Sequence, residues 1–289
     1  MLLSPAKANL QMKINQVVQI ISQFNGAIIA LSAGVDSSLV AALARKALGD
    51  RAIAVTAVSE SLAQGEMEIA KKTAAHIGIK HIIVTTDEVH DANYKANPSN
   101  RCYYCKDTLY RELRREADNI GFEAILDGTQ LDDFGEIRPG LLAAKEAGVR
   151  SPLAEAGFSK KDVRETARLL GLKVWDKPAM PCLSSRIPHG EEITVRKLSQ
   201  VGGAESIVKR LSGARDVRVR HHGAVAAIEV SQEELTLFHQ DGLMNQVEKE
   251  LGLIGFTSVT LGPRKYPTRH GTAALGNDYL LPMVNTFSH

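Results

Sequence analysis

Cysteine is scarce in this chain: its 289 residues include three, at positions 102, 105 and 182. So few, and odd in number, they exclude a disulfide framework and turn attention to metal binding or thiol chemistry. Net charge is almost absent as well. Lys and Arg number 35 against 33 Asp and Glu, leaving +2, too little for a global field that would draw in nucleic acid. Local basic runs such as Arg215-Asp-Val-Arg218-Val-Arg220-His-His could still bind phosphate. No run approaches the roughly 18 apolar residues of a membrane span, and the first residues lack the charged start and continuous apolar stretch of a signal peptide. A cytoplasmic protein with no membrane partner and no nucleic-acid partner is expected. With 10 prolines, 44% hydrophobic and 24% charged residues the composition is ordinary and globular. The length suits two domains at about 100–200 residues each.

What is present is concentrated at one junction. The apolar run Ala27-Ile28-Ile29-Ala30-Leu31 breaks into Ser32-Ala33-Gly34-Val35-Asp36-Ser37-Ser38 and then into a helical pattern. A buried strand carries such a turn to a sheet edge, and the following helix offers unpaired N–H groups and a positive dipole end to an anion. Small residues let phosphate approach. Ser32, Ser37 and Ser38 can add hydroxyl donors, Gly34 can take a backbone conformation closed to other residues, and Asp36 can hold Mg²⁺ or cap the helix. The Walker Gly-Lys-Ser/Thr is missing. The plain alternative is an ordinary strand-to-helix turn capped by Asp36.

Around the junction, strands and helices alternate. Apolar periodicity predicts helices over 8–24, 36–48, 65–77, 103–119 and 159–170, and strands over 52–58, 81–85 and 124–127. This is an α/β fold, a mostly parallel sheet with helices on both faces, whose ligands belong at the strands' carboxyl ends. Residues 87–101 read as a loop delivering two cysteines. Residues 171–190 are proline-punctuated and irregular, so one domain is expected over 1–176 and a second over 177–289. The second is a small α+β domain, with helices near 195–211 and 243–253 and strands near 217–220, 225–230 and 257–261. From Pro263 onward the pattern assigns nothing.

Chemistry-bearing residues fall into three groups. Cys102 and Cys105, spaced Cys-x-x-Cys, can share a metal or form a local disulfide. If Cys182 folds back toward them, three thiolates could hold a [4Fe–4S] cluster with one open iron; zinc, a disulfide, or Cys182 acting alone are the alternatives. Asp127-Gly128-Thr129-Gln130-Leu131-Asp132-Asp133 follows a strand end, where its carboxylates and hydroxyl could meet nucleotide and Mg²⁺, unless it is only a polar turn. Lys106 and Arg138 could neutralise phosphate. Arg186, Arg218 and Arg220 could grip an anionic substrate, the last two pointing from one strand face, with solvated strand charges as the alternative. Trp175 reads as a packing anchor.

The junction resembles the PP-loop of ATP pyrophosphatases, Ser-Gly-Gly-x-Asp-Ser, with Ala33 at the first glycine. Together with Asp127–Asp133, Arg138-Pro-Gly140, Ser151-Pro-Leu153 and Trp175-Asp-Lys-Pro-Ala-Met-Pro-Cys182-Leu-Ser-Ser-Arg186-Ile-Pro, it resembles the LarE family of ATP-dependent sulfur transferases across both domains. The resemblance implies adenylation of a carboxylate of pyridinium-3,5-dicarboxylate mononucleotide, then sulfur insertion, on the way to a nickel-pincer nucleotide cofactor. One branch of that family sacrifices the sulfur of the cysteine matching Cys182. This chain's three cysteines are similar to the branch in which a cluster, fed by sulfide or another sulfur donor, permits repeated turnover. The resemblance further implies a homo-oligomer, commonly a hexamer, a metal near Glu205 and Glu229, and substrate-phosphate or activity-linked roles for Arg218 and Arg220. A PP-loop tRNA thiolation enzyme, an ammonia-using PP-loop synthetase and a non-enzymatic nucleotide sensor are the competing readings.

Overall fold

Residues 5–135 and 139–264 are described by the structure, a computed structural model. The chain divides into two compact units, Met1–Pro181 and Cys182–His289. The first runs α1 (Pro5–Ser22), β1 (Ala27–Ala30), α2 (Val35–Leu48), β2 (Ala52–Val58), α3 (Glu66–Ile77), β3 (Lys80–Thr85), α4 (Ala92–Lys95), α5 (Arg101–Ile120), β4 (Ala124–Leu126), α6 (Pro139–Glu146), α7 (Pro152–Glu155) and α8 (Lys160–Leu169). Its sheet is parallel throughout, in the order β3-β2-β1-β4.

The two-residue period of a strand divides the apolar side chains between two cores. Ile28, Ile53, Val55 and Ile125 pack with Tyr110 and Leu113 of α5, while Ala27, Ile29, Ala52, Ala54 and Leu126 pack with α1, α2 and α8. Both faces are therefore covered, which is why these strands read as continuous apolar runs instead of alternating ones. On α1, Leu10, Ile14, Val17 and Ile21 form the buried stripe. A capping box starts α8: the Ser159 hydroxyl accepts from the N–H of Asp162, whose carboxylate accepts from the N–H of Ser159.

One expectation fails here. The segment 87–101 is not a plain loop: it holds a 3-10 turn at Glu88–His90 and α4, whose N-cap Asp91 accepts from the N–H groups of Asn93 and Tyr94. Helix α5 begins at Arg101, so Cys102 stands on its first turn and Cys105 at the start of its second. A four-residue helix is too short for apolar periodicity to reveal, and Pro98 obscured the start of the next.

The second unit has a 3-10 turn at Leu183–Arg186, α9 (Val195–Ser212), β5 (Arg218–His222), β6 (Val225–Val230), α10 (Leu243–Leu253) and β7 (Ser258–Pro263). Strands β5 and β6 are antiparallel about Gly223, which takes φ 61° in the turn. Helix α10 carries the chain from β6 to its parallel neighbour β7. Val219, His221, Ala226, Ile228 and Val230 line the buried face. Arg218, Arg220 and Glu229 occupy the other, half-buried one. Residues 265–289, most of the stretch that the pattern left unassigned, lie outside the described residues.

Candidate active site

Strand β1 delivers the Ser32–Ser38 turn to the carboxyl edge of the sheet. Ser32 is exposed, Gly34 and Asp36 are half-buried, and Ala33, Val35, Ser37 and Ser38 are buried, so a ligand meets the first set. The Ser37 hydroxyl donates to the carbonyl of Gly34 (3.2 Å) and accepts from the N–H of Ser32 (3.1 Å), while that of Ser38 donates to the same carbonyl (2.7 Å). These hydroxyls brace the loop, leaving the N–H groups of the first turn of α2 for an anion.

Two expectations about this loop are corrected. Gly34 is extended, at φ −82° and ψ 158°, a conformation open to any residue. The left-handed residue is Ala33, at φ 59°. That explains why the resembling motif carries glycine there, since a non-glycine residue costs about 1–2 kcal/mol in that region. Nor does Asp36 cap α2: Gly34 is the N-cap and has no side-chain cap bond. Asp36 lies two residues inside the helix, where its own N–H is among those a cap would serve. Its Oδ2 accepts instead from Lys160 Nζ at 2.5 Å, and its Oδ1 is buried without a partner.

At the end of β4, Asp127 is buried and its carboxylate is filled by donors. Oδ1 accepts from the N–H of Thr129 (3.1 Å) and the hydroxyl of Ser151 (2.7 Å); Oδ2 accepts from the hydroxyls of Thr129 (2.8 Å) and Tyr110 (3.3 Å). Asp127 thus shapes the edge and has little capacity left for a cation. Gly128 abuts the phosphate loop: a Cβ there would lie 2.6 Å from the Ser37 nitrogen and 2.9 Å from the Asp36 carbonyl carbon. The two predicted nucleotide motifs are therefore in backbone contact. Asp132 Oδ2 accepts from the N–H of Lys160 at 2.9 Å, so Lys160 joins Asp132 to Asp36. Sequence reasoning missed Lys160, although the Ser159–Asp162 capping box fixes it as the first residue of α8.

The first turn of α5 comes to the same edge. Cys102 is exposed and Cys105 half-buried, three positions apart and so on one helix face. The ammonium of Lys106 lies 5.5 Å from the centre of the Tyr110 ring. Burial works against that charge, but Tyr110, Asp127 and Cys105 outweigh it and hold the Lys106 pKa above its ordinary value. Burial also pushes the Tyr110 phenol up to about 12. Arg138 lies outside the described residues. Trp175 does not serve as a buried anchor: it is 39% exposed, with the Arg168 guanidinium over its ring.

In the second unit, the carbonyl of half-buried Cys182 accepts from the N–H and hydroxyl of Ser185. Arg186, 1% exposed, donates through Nε to Glu205 Oε1 at 2.8 Å, and the N–H of Val219 donates to the same oxygen at 3.2 Å. Arg220 donates to Glu229 at 2.9 Å and to the carbonyl of Ser185 at 3.1 Å. Glu205 and Glu229, expected near a metal, are each engaged by an arginine. Within either unit no three His, Cys, Asp or Glu side chains gather as a metal site among the described residues.

Arg218 differs from its neighbours. It stands opposite Glu229 in the strand register, yet its side chain makes no hydrogen bond or ion pair among the described residues, and its Nε is buried without a partner. Burial, then the nearby Arg264 and Arg186, lower its pKa. Arg264 is paired with Asp216. Arg186, Arg218, Arg220 and Arg264 thus outnumber Glu205, Glu229 and Asp216, which is a better match to an anion than to solvent.

The other face of β5 yields a test. His221 is buried, with Nε2 3.3 Å from Gln200 Oε1; because the Gln200 amide donates to the carbonyl of Ile254, Nε2 is the donor and Nδ1 is left buried and bare. Burial, then Lys197, lower the His221 pKa. The native unit resists the proton that the unfolded chain accepts near pH 6.5, so stability is full above that pH and falls as pH drops below it. Urea midpoints should fall between pH 7.5 and 5.5, and less steeply in His221→Gln. Equal slopes would remove His221 from this role.

Comparison with known proteins places these features in a family. The asparagine synthase family matches residues 26–103, the stretch that holds the phosphate loop and the first three strands. An uncharacterised protein of Synechocystis sp. is 47% identical over 89% of this chain and 96% of its own length. The pyridinium-3,5-bisthiocarboxylic acid mononucleotide synthase of Lactiplantibacillus plantarum is 37% identical over 88% of this chain and 91% of its own. One of the subunits of the glutamine-hydrolysing GMP synthase of Archaeoglobus fulgidus is 30% identical, but over 63% of this chain and 64% of its own length. A likeness to the mononucleotide synthase that runs through nearly all of both chains, on a parallel sheet bearing the modified phosphate loop, makes this chain a member of the LarE family of ATP-dependent sulfur transferases.

Proposed function

We propose that the protein uses ATP to activate a carboxylate of pyridinium-3,5-dicarboxylate mononucleotide and replaces an oxygen of that carboxylate with sulfur. The observation that carries this reading is the contact of Gly128 with the Asp36–Ser37 peptide, which makes one floor of the loop and the β4 end, in a chain related over most of its length to the mononucleotide synthase.

The residues suggest a division of labour. Ser32, Ala33, Gly34, Val35, Ser37 and Ser38 form the cradle for the outer phosphates of ATP, and the open Oδ1 of Asp36 suits Mg²⁺. Asp127, Gly128 and Thr129 hold that floor in shape. A substrate carboxylate oxygen attacks the α phosphorus, the bond to the bridging oxygen breaks, and pyrophosphate leaves with the electron pair. A sulfur nucleophile then adds to the acyl carbon and AMP departs. Lys106, cationic beside the β4 end, balances charge as pyrophosphate forms. Arg218, supported by Arg186 and Arg220, takes the substrate's phosphate, with Arg138 as a further candidate.

Sulfur delivery falls to Cys102, Cys105 and Cys182. None is fully buried, and three thiols as the only cysteines suit a [4Fe–4S] cluster with one open iron. When bound, the cluster would supply a replaceable sulfide. Residues 1–176, with the short stretch 177–181 that belongs to the same compact unit, serve as the nucleotide domain, and the rest of 177–289 as the substrate and assembly domain of a cytoplasmic homo-oligomer.

Protein purified without oxygen should release pyrophosphate and AMP in step with each thiocarboxylate seen by mass spectrometry. Iron and acid-labile sulfide should be near stoichiometric and vanish in Cys102→Ala. Full activity in iron-free protein, with loss of one sulfur and two hydrogens from the Cys182 peptide, would replace the cluster with a sacrificial cysteine. Turnover only with ammonia would sink sulfur transfer itself.

A further inference from the structure

Lys177 belongs to the irregular segment after α8, and its side chain reaches into the phosphate loop. Its ammonium donates to the carbonyl of Ala33 at 3.0 Å and to Glu66 Oε2, at the start of α3, at 2.5 Å. Both side chains are largely buried. The Lys177 backbone is itself held, since the Arg164 guanidinium donates to the carbonyls of Trp175 and Lys177. A buried lysine fixed at both ends on a phosphate loop suggests a purpose beyond solubility.

The partner it chooses is informative. Ala33 is the loop residue with φ 59°, where an L side chain is strained. The carbonyl of Ala33 and the N–H of Gly34 belong to one planar trans peptide and point in opposite directions. A donor on that carbonyl therefore sets the direction of the Gly34 N–H. Released from Lys177, Ala33 would relax toward an ordinary backbone region and the peptide would rotate, turning this N–H away from the anion.

We propose that Lys177 is a positioning residue that holds Ala33 in its left-handed conformation and so keeps the loop shaped for phosphate. This rests on the reading that the loop binds ATP. It assigns to Lys177 the work that glycine performs where glycine occupies position 33, because glycine enters the left-handed region without strain.

The test follows from that equivalence. In the full-length protein, Lys177→Met should raise the Kd of a non-hydrolysable ATP analogue, and the KM for ATP, about tenfold, as expected for losing a charge-assisted hydrogen bond. The kcat should change less than about twofold. Adding Ala33→Gly should restore Kd and KM to within about threefold of the wild type. A merely structural or directly phosphate-binding lysine would not be rescued by a glycine at 33, so failure of rescue overturns the proposal. So does wild-type affinity in Lys177→Met. If that variant does not fold by circular dichroism, Lys177→Met combined with Glu66→Gln, which removes the carboxylate charge that Lys177 leaves behind, is compared with and without Ala33→Gly under the same criteria. Absence of ATP binding by the wild type would instead defeat the nucleotide reading on which this rests.

Discussion

Gly128→Ala is expected to lower ATP-dependent pyrophosphate release by about 100-fold. The added methyl carbon would stand 2.6 Å from the Ser37 nitrogen and 2.9 Å from the Asp36 carbonyl carbon. Both neighbours are backbone atoms, so no rotamer change relieves the clash; either the β4 end or the phosphate loop must move. Overpacking of this sort costs about 1–3 kcal/mol, and each 1.4 kcal/mol is about tenfold in a rate. Displacement falls on the loop, which is held by short side-chain bonds, while Asp127 is anchored by four donors. The measurement is pyrophosphate release against ATP concentration, with a urea titration alongside. Unchanged kinetics in a folded variant would show that this contact does not shape the site.

Glu205→Ala is expected to destabilise the second unit by about 3–5 kcal/mol, the cost of leaving a buried charge unpaired. Arg186 and Glu205 have side chains 1% and 5% exposed. Alanine would take from the guanidinium the carboxylate that its Nε donates to, and would remove the acceptor for the N–H of Val219 as well. Arg186→Met combined with Glu205→Leu should recover most of the loss, because the pair's desolvation is then avoided. The double variant should nonetheless fail in sulfur transfer if Arg186 supports the substrate's phosphate as proposed. Urea unfolding followed by circular dichroism reads the first effect, thiocarboxylate yield the second. A small loss in Glu205→Ala would mean that water reaches Arg186.

The pattern of apolar residues was enough to identify strands β1 to β4 and helices α1, α2, α3, α5 and α8, because each buries a face with a clear period. Helices α4, α6 and α7 were illegible: with four to eight residues they offer no periodic signal, and they are held by caps and neighbours instead. For that reason the pattern sets the cysteine pair at the end of a loop, whereas the fold sets it within the first two turns of α5. At the site, the motif located the cradle, but not which residue bears its strain. Gly34 is the obvious candidate by composition, yet backbone dihedrals belong to the folded loop, and they place the burden on Ala33.

Lys160 and Lys177 show the same divide. Lys160 lies in no motif and Lys177, though inside the Trp175-Asp-Lys-Pro segment, is given no role by it, and their partners Asp36, Glu66 and Ala33 are more than a hundred residues away along the chain. By itself the amino-acid order determined the strand-and-helix alternation, the phosphate cradle, the three thiols and the run of arginines, since each is carried by residue type at short spacing. Only the tertiary structure decided that Gly128 touches Ser37, that Asp127 is saturated while Asp36 keeps an open oxygen, and that Arg218, beside the carboxylate-paired Arg186, Arg220 and Arg264, has no carboxylate among the described residues. Those are matters of distance and of competition for hydrogen bonds, which exist only once distant segments have been packed together.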